Sequence, residues 1–141
     1  MNNKFLKSIV AGIIATIAMT VLMVISGTLG MPKMEPPHML ATTLGAPVIV
    51  GWMMHFMIGI SFALIYTYVV SGWFVKINSV ILKGVVFGVI AAVMAKVSMT
   101  IMGKMFDTMP TPSGNMALVL MGLVMGHILF GIVVVWFIHR K

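Results

Sequence analysis

The chain has 141 residues, of which 61% are hydrophobic and 8% charged, with a mean hydropathy of +1.17. Soluble domains carry roughly 25% charged residues, so this sequence can neither clothe a water-facing globule nor stay disordered. The net charge of +7 comes from nine Lys and Arg against two acids, and there is no Cys. Disulfides, thiolate metal sites and cysteine catalysis are thereby excluded. The cations stand singly or in pairs beside apolar runs, the pattern of membrane flanks and not of a nucleic-acid surface.

Four stretches are long enough to cross a bilayer, which takes roughly 20 apolar residues as a helix. They run about Ser8–Gly30, Val48–Val70, Val80–Gly103 and Met116–Ile138, and only the third holds charges, Lys83 near its start and Lys96 well inside. The first is too long for a signal-peptide core of roughly 7–15 residues and no A-x-A site follows it, so it is expected to be retained. After it, Pro36-Pro37 can start a short surface helix at about 36–44, with Gly45 ending it. Trp73, Phe74, Trp136 and Phe137 fall near the boundary on the side of the termini, where amphipathic rings favour the headgroup zone.

The chain repeats itself. At an offset of 76, Lys7, Val10, Gly12, Ile14, Ala15, Val21, Met23, Ile25, Gly27 and Pro36 recur as Lys83, Val86, Gly88, Ile90, Ala91, Val97, Met99, Ile101, Gly103 and Pro112. At an offset of 72, Met53, His55, Gly59 and Ile60 recur as Met125, His127, Gly131 and Ile132. One membrane domain over 1–141 is expected, with repeat one at about 7–70 and repeat two at about 83–138. The fold class is all-α: four transmembrane helices as two repeated hairpins in a pseudo-two-fold bundle, the repeats related by an axis along the membrane normal. Ser8, Gly12, Thr16 and Thr20 align with Gly84, Gly88, Ala92 and Lys96, a small-residue stripe that predicts a helix–helix interface.

The segment Met31-Pro32-Lys33-Met34-Glu35-Pro36-Pro37-His38-Met39-Leu40-Ala41 and the span layout resemble a group of small four-span bacterial membrane proteins without an assigned activity. The resemblance implies a multi-pass protein of the bacterial inner membrane and carries over no functional residues.

Three features can carry chemistry. His55 and His127 are lone imidazoles at equivalent repeat positions, His55 seven and His127 eleven residues from the end of its span, or roughly 10 and 16 Å. Ionisable groups in spans are functional candidates. Gly59 and Gly131, one turn on, are expected to open the same face, so that haem b can sit between two axial histidines. The alternative is packing, each His bonding Thr16, Thr20 or a carbonyl across helices. Lys96, on the small-residue stripe, is expected to face the interior and to pair with a haem propionate, an outer-loop acid or the headgroups. Met31, Met34, His38 and Met39, with Met105, Met109 and Met116 around the second loop, offer thioether and imidazole donors suited to Cu(I). Most other Met are expected to serve as flexible substitutes for Leu.

No carboxylate pair, Ser-His-Asp set, H-E-x-x-H or phosphate loop is present. The sequence therefore points to a non-enzymatic accessory or redox subunit in the bilayer, beside other membrane subunits or copies of itself. The alternatives are a copper carrier or sensor and a purely structural subunit. Lys4, Lys7, Lys76, Lys83, Arg140 and Lys141 lie on one side against Lys33 and Lys104 on the other, which puts both termini in the cytoplasm. Reporter fusions after Lys141 and within Lys76–Ser79 will report the cytoplasm, and one beside Glu35 the exterior. An exterior C-terminus overturns this orientation.

Overall fold

The computed structural model describes residues 3–106, 108, 110 and 114–140. Three of the four long helices begin at a residue whose side chain caps them. Asn3 accepts from the backbone N–H of Phe5 and starts α1, Lys4–Thr28. Ser79 accepts from Leu82 and starts α4, Val80–Met105; Asn115 accepts from Ala117 and starts α5, Met116–His139. These side chains satisfy amide donors that the first turn leaves without partners. Pro47 precedes α3, Val48–Tyr68. The short helix expected from Pro36-Pro37 is α2, Pro36–Thr43, and it stops where Gly45 adopts φ +61°, a conformation that favours glycine.

The four long helices are apolar enough to cross a bilayer, and no strand occurs among the described residues. The fold is an all-α, four-span membrane bundle. Lys7 on α1 donates from Nζ to the backbone oxygens of Ile138 and Arg140 at the end of α5, which brings the two chain ends to one end of the bundle. The α2 segment lies at the other end, on α3.

Hairpin one packs α1 on α3, hairpin two packs α4 on α5, and α1 joins the hairpins by packing on α5. The hairpins close through glycine. A Cβ on Gly12 would lie 2.7 Å from the Cα of Ile60, and one on Gly84 2.5 Å from the Cα of Ile132. Such contact supplies dispersion energy where lipid removes the hydrophobic drive between helices.

These pairs also correct the repeat. Gly12 faces Ile60 as Gly84, not Gly88, faces Ile132; Gly59 lies on Thr16 and Gly12 as Gly131 lies on Gly88 and Gly84. The structural offset is 72 in both spans, so α4 sits one turn away from the alignment at 76. In the structural register Thr20 corresponds to Ala92, and Lys96 to Val24.

The two-fold relation is broken elsewhere. Symmetry would match the α1–α5 contact with one between α3 and α4, but these two backbones have no comparable packing. Aromatic rings hold them apart in the half nearer the termini. Tyr66 of α3 lies 4.8 Å, centroid to centroid, from Phe87 of α4; Phe87 and Phe62 lie 6.4 and 6.5 Å from Phe130 of α5. Phe74, expected at the membrane boundary, is instead buried beside Tyr66, whereas Trp73 and Trp136 are exposed as expected.

Substituting Gly84 by Ala will lower the unfolding midpoint in detergent, by an equivalent of about 1–3 kcal/mol, the usual cost of overpacking. Gly27→Ala, whose added methyl would meet only the Lys33 side chain at 3.6 Å, will stay within about 0.5 kcal/mol.

Candidate functional site

Where the aromatic wedge ends, the gap between α3 and α4 is a cavity of about 510 Å³ that continues beneath α2. It opens sideways, because Met57, Ile58 and Ile65 on its α3 rim are exposed. Its wall is apolar, with few polar groups. Both expected histidines line it, with eight methionines: Met19 and Met23 of α1, Met34 and Met39 around α2, Met54 and Met57 of α3, and Met99 and Met102 of α4.

The hydrogen bonds fix what each imidazole offers. The Thr20 hydroxyl donates its one proton to the Thr16 carbonyl at 2.8 Å, so at 3.2 Å from His55 Nε2 it accepts. His55 is therefore protonated on Nε2 and keeps a lone pair on Nδ1. His127 is the reverse. Its Nδ1 donates to the Leu123 carbonyl on its own helix at 2.8 Å, leaving the lone pair on Nε2, the arrangement in which a backbone carbonyl orients a metal-binding imidazole. The register explains the difference. Ala92 takes the place of Thr20 opposite His127 and has no hydroxyl to offer.

Two expected residues have other roles. Gly59 lines the cavity but its missing side chain makes room for Thr16; Gly131 lies against Gly84 and Gly88 in the α4–α5 contact, outside the cavity wall. They close helices together and do not clear space for a porphyrin. Lys96 is exposed and lies outside the cavity lining, contrary to the expected interior position. It stands where hairpin one has Val24, which is 61% exposed. α4 packs closely on α5 alone, so this face of the half nearer α2 looks away from the protein, where a long stem lets an ammonium extend toward a polar boundary.

The first-loop cluster divides. Met34 and Met39 turn into the cavity, and the Met34 sulfur lies over Gly122 of α5 with the Met31 methyl beside it. His38 is exposed and outside the lining, as are Met105 and Met116; Met109 and Asp107 lie outside the described residues. No group of three His, Asp, Glu or Cys able to hold a metal occurs among the described residues. A metal in the cavity would therefore need thioethers. Met19 with Met23, and Met99 with Met102, stand four and three residues apart, on one face of their helices. That spacing was the available signal for thioethers in the spans, where methionine otherwise reads as filler.

Over residues 2–141 the chain matches a family of unknown function (DUF6789). The chain belongs to that family. No match was found among curated proteins or among solved structures. Membership in DUF6789 covers nearly the whole chain and agrees with the resemblance to a group without an assigned activity; it assigns no role to the cavity.

Replacing Thr20 by Val leaves the His55 Nε2 donor without its partner and will cost about 0.6–1.7 kcal/mol, the range measured for interhelical hydrogen bonds in membranes. Lys96→Leu will stay within about 0.5 kcal/mol in the same unfolding assay. A larger loss at Lys96 than at Thr20 would restore the interior position.

Proposed function

We propose that this chain is a non-enzymatic membrane protein that holds Cu(I) in the cavity between α3 and α4. One observation carries the reading: the histidine pair and two of the loop methionines, Met34 and Met39, line one cavity with further thioethers from α1, α3 and α4. Imidazole and thioether are donors that select Cu(I) over harder cations. The ligands are His127 through Nε2 and His55 through Nδ1, completed by thioethers among Met19, Met23, Met54 and Met99. All are neutral, so the ion's single charge is the only one that the cavity must accommodate.

Haem b between the two histidines is the competing occupant. It needs an axial nitrogen from each ring, and the Nε2 of His55 is engaged by Thr20. α1 packs on both α3 and α5, which closes the bundle behind the pair on the side away from α4. In the orientation expected from the flanking cations, α2 lies outside the bacterial inner membrane and both termini lie in the cytoplasm. Met34 and Met39 then stand at the outer mouth, and the protein serves as a copper-holding accessory to other membrane subunits.

The test uses the whole chain purified in mild detergent, loaded with Cu(I) under reducing conditions and dialysed against a Cu(I) chelator. One equivalent retained per chain is expected. It will be lost in His127→Leu and weakened in a Met19→Leu/Met99→Leu variant, whose side-chain volumes are nearly conserved. His38→Ala will leave it unchanged. Reduced haem bands in the absorption spectrum, or no Cu(I) retained by the folded protein, overturn the reading.

A further inference from the structure

At the end of the bundle that carries the termini, hydrogen-bond donors collect without an acidic partner among the described residues. Lys83 lies one turn into α4 and is half-buried. In the structural register its counterpart in hairpin one is Ala11, which is fully buried. Its side-chain hydrogen-bond partner among the described residues is His139, with Nζ and Nε2 3.5 Å apart. Beside His139, with ring centroids 6.2 Å apart, stands Tyr66. Tyr66 is fully buried and its hydroxyl has no hydrogen-bond partner, a state that costs about 1–3 kcal/mol unless a partner is supplied. Arg140 follows, its guanidinium 4.8 Å above the Trp136 ring.

Nothing nearby in the sequence balances these groups. The chain's two acids are Glu35 and Asp107; Glu35 precedes α2 at the far end, and Asp107 lies outside the described residues. Lys7 differs from Lys83, because its ammonium already serves the last carbonyls of α5, where the helix dipole is negative. An ammonium only donates, so His139 accepts from Lys83 on Nε2 and keeps its own N–H on Nδ1. The remaining Lys83 protons, that N–H and the Tyr66 hydroxyl are left without an acceptor among the described residues. A phosphate, with several acceptor oxygens and a negative charge, supplies acceptors for these donors and a counter-charge for Lys83. The exposed indoles of Trp73 and Trp136 belong to this end and mark headgroup depth. That depth favours a phosphate carried by a lipid over one free in water.

We propose that this end of the bundle binds the headgroup of an anionic phospholipid, its phosphate held by Lys83 and His139 with the Tyr66 hydroxyl as a further donor. The site is separate from the cavity and does not depend on what the cavity holds.

The test is native mass spectrometry of the whole chain in detergent, titrated with phosphatidylglycerol, phosphatidylcholine or inorganic phosphate. Phosphatidylglycerol will bind in preference to phosphatidylcholine, and inorganic phosphate will not displace it. Lys83→Gln will lower that preference about fivefold, the effect of one basic residue near a lipid surface, and Lys83→Arg will restore it. Tyr66→Phe will weaken binding of phosphatidylglycerol. Lys76→Gln, on the same end but outside the cluster, will leave the preference unchanged. Equal binding of the two lipids, displacement by inorganic phosphate, or an equal loss in Lys76→Gln would overturn the proposal.

Discussion

Where α1 meets α3 and α4 meets α5, glycines face the partner helix, and the backbones approach until one added methyl would collide with a Cα. In lipid this approach substitutes for the hydrophobic effect, since a leucine gains little by leaving acyl chains for another helix. Each hairpin is therefore a unit with a fixed register. The contact between the hairpins is softer: the flexible Met19 and Met23 of α1 seat on Gly126 of α5. Unbranched thioether chains fill an irregular surface there without demanding a single geometry.

The cavity follows from how the hairpins are joined. Close glycine contacts use up one face each of α1, α3, α4 and α5, and α1 then packs on α5 with a second face. Nothing of the kind draws α3 to α4. Tyr66, Phe87 and Phe130 span the gap in one half of the bundle, where ring-to-ring contacts of 4.8–6.4 Å make an apolar floor. Beyond that floor, α4 carries Ala95, Ser98 and Met99 toward the gap, side chains too small or too pliable to close it. α2 covers the mouth.

The spans, the short helix after Pro36 and the glycine contacts were legible because each depends on local pattern: apolar length, a proline pair with a glycine stop, small residues four apart. The register between repeats was not. Identity of Lys7 with Lys83 and of Pro36 with Pro112 favoured an offset of 76, yet the contacts of Gly12 and Gly84 follow 72. Sequence identity reports descent, whereas contact depends on which glycine meets which backbone, and a slip of one helical turn keeps the same face while changing depth. Lys96 was misplaced because the shifted register puts it at the position of the exposed Val24, and because α4 packs closely on α5 alone, so that this end of the stripe meets no other helix. The histidine pair was legible as a pair, but its surroundings were not, since Gly59 and Gly131 pack helices and the span methionines carried no mark separating lining from filler.

The two imidazoles reach the cavity by different means, and this bears on what can hold them together. His55 is oriented from outside its own helix by a threonine of α1, whereas His127 is oriented by its own α5. Because α1 packs on both α3 and α5, it sets the separation of the two free lone pairs, and any movement of α1 against either hairpin partner changes that separation. An occupant that needs both nitrogens is thus sensitive to the contact of Met19 and Met23 with Gly126. That contact is made by side chains that also line the cavity. An ion drawing these thioethers from packing would loosen the joint that fixes the histidines, so on the reading proposed above filling the site and adjusting the α1–α5 contact would be one event.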